Sequence, residues 1–311
     1  MQMAEKNIGA SVHAKLKNIS RERGVDMMSL LRRYAQERLL YRLSVSEEAN
    51  NFCVKGGVLL SAYNNGDLLR PTEDIDFNGF DENADVKTVG EALKVILNTP
   101  VNDDGVQFLL ETMSIKKDRV GIIPGGKIAL QAMVHSARVD IRVDVGFGNP
   151  VSPAVRKIVM PTLLDGVAPK PVILAYPLET VIAEKVHAMA QFGASNTRVK
   201  DYFDVWMLMK THSFEGQDLV NALVRTFEAQ EREIPSTPIE GLSEDFVDEQ
   251  ESAWSAFLKR IDHHSKIDLG QVVEEIAELI FPVIEAAVTE TELNQTWEAV
   301  EGWSGGVPKP R

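Results

Sequence analysis

Residues 51–80 read Asn51-Phe52-Cys53-Val54-Lys55-Gly56-Gly57, an apolar run to Tyr63, then Arg70-Pro71-Thr72-Glu73-Asp74-Ile75-Asp76-Phe77, closing at Phe80. The pattern predicts a short strand, a glycine turn at which backbone N–H groups can approach a phosphate, a helix start and a second strand. On that second strand Asp74 and Asp76 lie two residues apart, so strand geometry turns both carboxylates to one face and sends Ile75 and Phe77 into the core. Like charges side by side are costly unless a cation stands between them. A hard divalent ion held by one or two carboxylates and completed by nucleotide phosphates is the usual solution.

Composition sets the bounds. The chain has 311 residues and is 44% hydrophobic, enough for a substantial core and two domains. Its single cysteine, Cys53, excludes an intramolecular disulfide framework, fits a reducing compartment and reads as a buried structural thiol. No apolar run reaches membrane-spanning length, and the expected location is the cytoplasm, with no membrane partner. The net charge of −13 is uneven: residues 211–311 hold 7 Lys and Arg against 21 Asp and Glu, leaving 26 against 25 in residues 1–210. The acidity belongs to the C-terminal third, so a basic nucleic-acid surface remains open to the rest.

Upstream, Ser11 to Leu43 reads as two helices, with Ser11 and Asp26 as N-caps and Gly24 as the stop. Arg32, Arg33, Arg38 and Arg42 lie off the apolar stripe of the second helix, as a solvated face or an RNA-facing surface. Downstream, Asp85 to Leu97 is helical by pattern, and three extended segments follow: Val106 to Ile115, Lys127 to His135 and Arg138 to Phe147, the last two joined by a tight turn at Ser136-Ala137. Alternation puts Asp140, Arg142 and Asp144 on one face of the third segment. A hairpin beside the Asp74/Asp76 strand brings one of these acids to the metal; otherwise both acids pair with Arg138 and Arg142 at the surface. Asp144 is preferred because glycines follow it.

A proline-punctuated connection from Pro150 to Pro177, with one short strand near Lys157 to Met160, leads into a proline-started helix containing Lys185. His187 on that helix, like the His263-His264 pair, lacks ligands at metal-binding spacing. Then a polar loop, Asn196-Thr197-Arg198, enters a helix with Tyr202, Val205, Trp206 and Met209 on its apolar side and Lys200, Asp201 and Asp204 near its start. Acids there are ordinarily dipole-compensating. Three further helices are expected at Glu215 to Glu228, Asp245 to Ile261 and Gly270 to Val288, packing as a bundle.

Four strings, in order, carry a resemblance: Gly-Gly with Asp-x-Asp, the Asp144-Val145-Gly146-Phe147-Gly148 strand end, Glu179-x-x-x-Ala183-Glu184-Lys185, and Arg198-x-Lys200-Asp201-x-x-Asp204. Together they resemble the AbiEii family of toxin nucleotidyltransferases, from toxin–antitoxin and abortive-infection systems. The second glycine stands where many nucleotidyltransferases have serine, and the interval from Gly57 to Asp74 is longer than usual. The resemblance implies an α/β, bilobed protein: a nucleotidyltransferase domain with a mixed sheet over residues 1–165, a helical domain over 166–301 and a flexible tail over 302–311, with the site between the lobes. It implies Mg2+ or Mn2+ on Asp74, Asp76 and Asp144, with Asp144 also as general base. Lys55, Gly56, Gly57 and Thr72 are nucleotide-binding candidates. By the same resemblance Lys185 meets the triphosphate, Arg198 and Lys200 meet phosphate, and Asp201 and Asp204 are functional acids. The expected reaction moves a nucleoside monophosphate from NTP to an RNA hydroxyl, the tRNA 3′ end, blocking translation and aiding phage defence, with a separately encoded antitoxin as partner. A protein or small-molecule acceptor, or a silent nucleotide- or antitoxin-binding module, are the alternatives.

Overall fold

The computed structural model describes residues 7–64, 72–81, 85–120, 123–236, 238–261 and 267–304, without the side chains at 86, 118–120 and 123–124. Arg70, Pro71, the His263-His264 pair and residues 305–311 lie outside them. The chain divides into two compact units, Met1–Asn149 with Arg156–Ala175, and Pro150–Val155 with Tyr176–Arg311.

The first unit opens with α1 (Ile8–Arg23) and α2 (Met27–Val45). Gly24, in the left-handed conformation, ends α1, and the Asp26 carboxylate accepts from Ser29 N–H to start α2. Asn7, not Ser11, caps α1. The reading of the α2 arginines is corrected: Arg33, Arg38 and Arg42 are buried rather than solvated or RNA-facing. α2 packs against both α1 and β5, so its polar side has no open water to face. Each guanidinium is instead paid inside the core: Arg33 with Glu37 and Ser61, Arg42 with Asp104, Arg38 with the Pro169 carbonyl. Burial raises the Glu37 carboxyl, against the opposing pull of Arg33.

Next come β1 (Phe52–Lys55), α3 (Gly56–Tyr63), β2 (Asp74–Gly79), α4 (Val86–Asn98), β3 (Val106–Val120), β4 (Ile123–Val134), β5 (Ala137–Phe147), β6 (Arg156–Val159) and β7 (Val172–Ala175). They form one mixed sheet in the order β3-β4-β5-β2-β1-β7-β6. β2 runs antiparallel to β1 and parallel to β5, while β4 and β5 form a hairpin turning at His135-Ser136, one residue earlier than the sequence pattern suggested. Ile128, Ile75, Phe77, Val143 and Val145 fill the buried face. β7, parallel to β1, carries the sheet beyond residue 165 to Ala175.

The second unit holds α5 (Leu178–Phe192), α6 (Val199–Thr211), β8 (Phe214–Glu215), α7 (Gly216–Ala229), α8 (Glu244–Arg260), α9 (Leu269–Thr289), β9 (Thr296–Glu298) and β10 (Gly302–Ser304). The helices expected beyond residue 211 are present, and they pack with α5 and α6 around Phe203, Trp254 and the stacked Tyr202–Phe246 pair. The small β10-β9-β8 sheet was not foreseen; its last strand takes residues 302–304 out of the expected tail. Residues 150–155 join this unit through Ser152, whose N–H donates to Thr180 Oγ1 and whose carbonyl accepts from the same hydroxyl. No described helix is long and apolar enough to cross a membrane.

Candidate active site

In the first unit, strand register assembles the predicted acids. Asp76 on β2 lies opposite Asp144 on β5, and Asp74 opposite Arg142. Partners in register project to the same side of a sheet, so Asp76 and Asp144 stand together on the face turned away from the core. The row continues outward: Lys55 ends β1 opposite Asp76, and Lys127 on β4 lies opposite Asp144. The ladder therefore reads Lys55, Asp76, Asp144, Lys127, two carboxylates bracketed by two ammonium groups, and none of the four is without a partner.

The glycine turn sits against this row. Gly56 has φ +69, a left-handed backbone that disfavours any side chain, and a Cβ there would collide with the Asp76 carboxylate. Both constraints require glycine where β1 enters α3. α3 has no side-chain cap at its N-terminus, and Gly57 lies in its first turn, so the backbone N–H groups there are not taken by a capping residue. Thr72 Oγ1 reaches the Asp74 carbonyl at 3.4 Å. Asp74 Oδ1 is sealed from solvent and takes no hydrogen bond. Arg142 pairs instead with Glu73, at 2.9 Å. Asp140 accepts from Gln131 and takes no part in the acid pair.

Among the described residues no three His, Cys, Asp or Glu side chains are gathered closely enough to hold a metal by themselves. The donors nonetheless fit a hard cation: all are carboxylate oxygens, and the orphaned Asp74 Oδ1 is a buried acceptor awaiting a positive partner. Such a site would be completed by phosphate oxygens rather than closed by protein alone.

In the second unit, α5 and α6 bring together the other two motifs. Lys185 Nζ donates to Asp201 Oδ1 at 2.6 Å and to Asp204 Oδ2 at 2.9 Å. Arg198 Nε donates to the other Asp201 oxygen at 2.6 Å. Asp201 and Asp204 are 1% and 0% exposed and Lys185 only 12%, so the acids are core groups rather than solvated helix caps. Burial alone would push the Asp201 carboxyl up, but Lys185 and Arg198 overcome it and hold the group well below the ordinary carboxylate range. Lys200 is exposed on the first turn of α6. His187 is buried edge-on against Phe227, as a packing residue. Desolvation, helped by Arg232, lowers its pKa.

Sequence reasoning missed Lys127 and Glu73. The polar alternation of β4 marks Lys127 as facing the acids' side, but its partner depends on the hairpin register.

The mixed sheet thus carries a glycine turn before Asp-x-Asp and a further acid on the adjoining parallel strand. The family model for the nucleotidyl transferase AbiEii toxin of type IV toxin–antitoxin systems matches residues 38–278, and the chain belongs to that family. No curated protein matches. Among solved structures, MenT4, a nucleotidyltransferase toxin from Mycobacterium tuberculosis H37Rv, is 15% identical, with TM-score 0.51 over 89% of this chain and 98% of its own. A putative nucleotidyltransferase from H. pylori is also 15% identical, with TM-score 0.46 over 86% of this chain and 100% of its own. The shared fold is that of nucleotidyltransferases, and the family implies a separate antitoxin.

Proposed function

We propose that this toxin transfers a nucleoside monophosphate from an NTP to an RNA hydroxyl, with the tRNA 3′ end as acceptor, in the bacterial cytoplasm. The observation that carries the reading is the in-register Asp76/Asp144 pair with Gly56 packed beneath Asp76. Asp74, Asp76 and Asp144 would hold Mg2+ or Mn2+, which when bound supplies electrostatic stabilisation of the transferring phosphoryl group. Gly56, Gly57 and the start of α3 present backbone N–H groups to the phosphates, with Lys55 and Thr72 beside them. Asp144 takes the proton of the attacking hydroxyl as its oxygen bonds to the α-phosphorus; the bond to the bridging oxygen of the β-phosphate breaks, and pyrophosphate leaves. Lys185, held by Asp201 and Asp204, is proposed as a phosphate-binding group, together with Arg198 and Lys200.

The test incubates the protein with each labelled NTP, total tRNA and Mg2+. Label should enter RNA with the wild type and fall to background with Asp76→Asn. Equal labelling by that variant overturns the roles; label on a protein or small molecule instead overturns the RNA acceptor. Expression without the antitoxin should arrest growth, and Asp76→Asn should relieve the arrest.

A further inference from the structure

The ladder that unites Asp76 and Asp144 does not stop at Lys127: β3 pairs with β4, and Lys116 lies opposite Lys127. The full row is Lys55, Asp76, Asp144, Lys127, Lys116, across five neighbouring strands. Strands lie about 4.8 Å apart, so Lys127 stands one step and Lys116 two steps from Asp144, all on one face. Both lysines are exposed, and neither belongs to the four family strings.

The row has two flanks with different equipment. On the β1 side are Lys55, Gly56 and the uncapped start of α3, suited to a triphosphate. On the β4–β3 side stand two exposed ammonium groups. Phosphoryl transfer requires the attacking and leaving oxygens to lie roughly in line on opposite sides of the phosphorus. A triphosphate seated at Gly56 sends its pyrophosphate toward β1, so the acceptor must approach from the Asp144 side, over β4.

We propose that Lys127 and Lys116 form a lane for the phosphodiester backbone of a polynucleotide acceptor, delivering its terminal hydroxyl to Asp144. The lane rests on the RNA-acceptor reading above and adds where the RNA lies. Lysine suits this task as a point charge that contacts phosphate without reading bases.

The experiment measures affinity for total tRNA, without NTP, as a function of salt, for wild type, Lys116→Met/Lys127→Met and Arg138→Met. Arg138 is exposed on the same face but six residues from Asp144 along β5, and serves as the control for diffuse charge. Each lost phosphate contact flattens the slope of log affinity against log salt by about 0.7 to 0.9, so the double variant should be shallower by about 1.5. The melting temperature should stay near the wild-type value, and Arg138→Met should keep the steep slope. An unchanged slope in the double variant, or an equal flattening in Arg138→Met, would each overturn the lane. Absence of tRNA binding by the wild type would instead overturn the RNA reading on which it stands.

Discussion

Asp76 and Asp201 are both motif aspartates, yet the two units treat them oppositely. Asp201 is 1% exposed and has both oxygens taken, by Lys185 and Arg198. Asp76 lies on the outer face of the sheet, over a glycine that no other residue could replace, beside Asp144 and near an Asp74 oxygen that takes no hydrogen bond. Both oxygens of Asp201 are taken by side chains of its own unit, whereas beside Asp76 one buried acceptor, Asp74 Oδ1, takes no hydrogen bond. The difference teaches that motif membership alone does not separate groups that act on a ligand from groups that keep a cation in position.

That contrast can be broken by mutation. The largest effect is expected at the sheet: Asp144→Asn should slow nucleotide transfer by about 10²- to 10⁴-fold, the usual worth of a general base. Its urea midpoint should move little, as for most substitutions away from the core. A variant that transfers normally would dissolve the distinction.

Next is Lys185→Met, which strands two buried carboxylates; unfolding should become easier by about 3–5 kcal/mol, read from urea or thermal melts. Lys185→Met/Asp201→Asn/Asp204→Asn should recover part of that loss, because the stranded charges go with their partner. If the triple variant is less stable than the single by the full sum of separate effects, the cluster is not one electrostatic unit.

The third test uses pH. The folded Asp201 carboxyl titrates below its unfolded value of about 3.9, so its stabilisation is complete above that pH and is lost as pH falls toward the depressed folded value. Asp201→Asn removes this titration. The stability gap between wild type and Asp201→Asn should therefore be widest at pH 6 and narrow below pH 4. A gap constant from pH 6 to pH 2.5 would remove the linkage argument.

Smallest is Arg198→Ala. The guanidinium is half exposed, so solvent screens its pairing, and the cost should stay within about 1 kcal/mol despite the 2.6 Å contact. A loss comparable to that of Lys185→Met would mean the pair is shielded from water.

Much of this was legible in the residues, because period-2 alternation and turn chemistry are local. Asp74 and Asp76 had to share a face, and Asp144 had to face with Asp140 and Arg142. Which strands became neighbours was not local. Lys127 meets Asp144 because the turn falls at His135-Ser136, pairing Val134 with Ala137. A turn one residue later would pair His135 with Arg138 and so Ala129 with Asp144, and the lysine would miss the acids by two positions. The α2 arginines failed for another reason. Charge on a helix ordinarily marks a wet surface, and nothing near Arg42 in the chain announces that Asp104 will meet it in the core. Lys185 was singled out by motif, but its burial between two aspartates depends on how α6 packs on α5.

The path of the chain through β6 and β7 bears on where the protein can be divided. After Asn149 it spends residues 150–155 in the second unit, returns for the β6–β7 hairpin, and leaves for good after Ala175. A fragment ending at Asn149 would retain every carboxylate of the acid row and still lack β7, uncovering one side of β1. Open strand margins invite pairing between molecules, so that piece should precipitate on expression, whereas one carried through to Ala175 keeps the margin shielded.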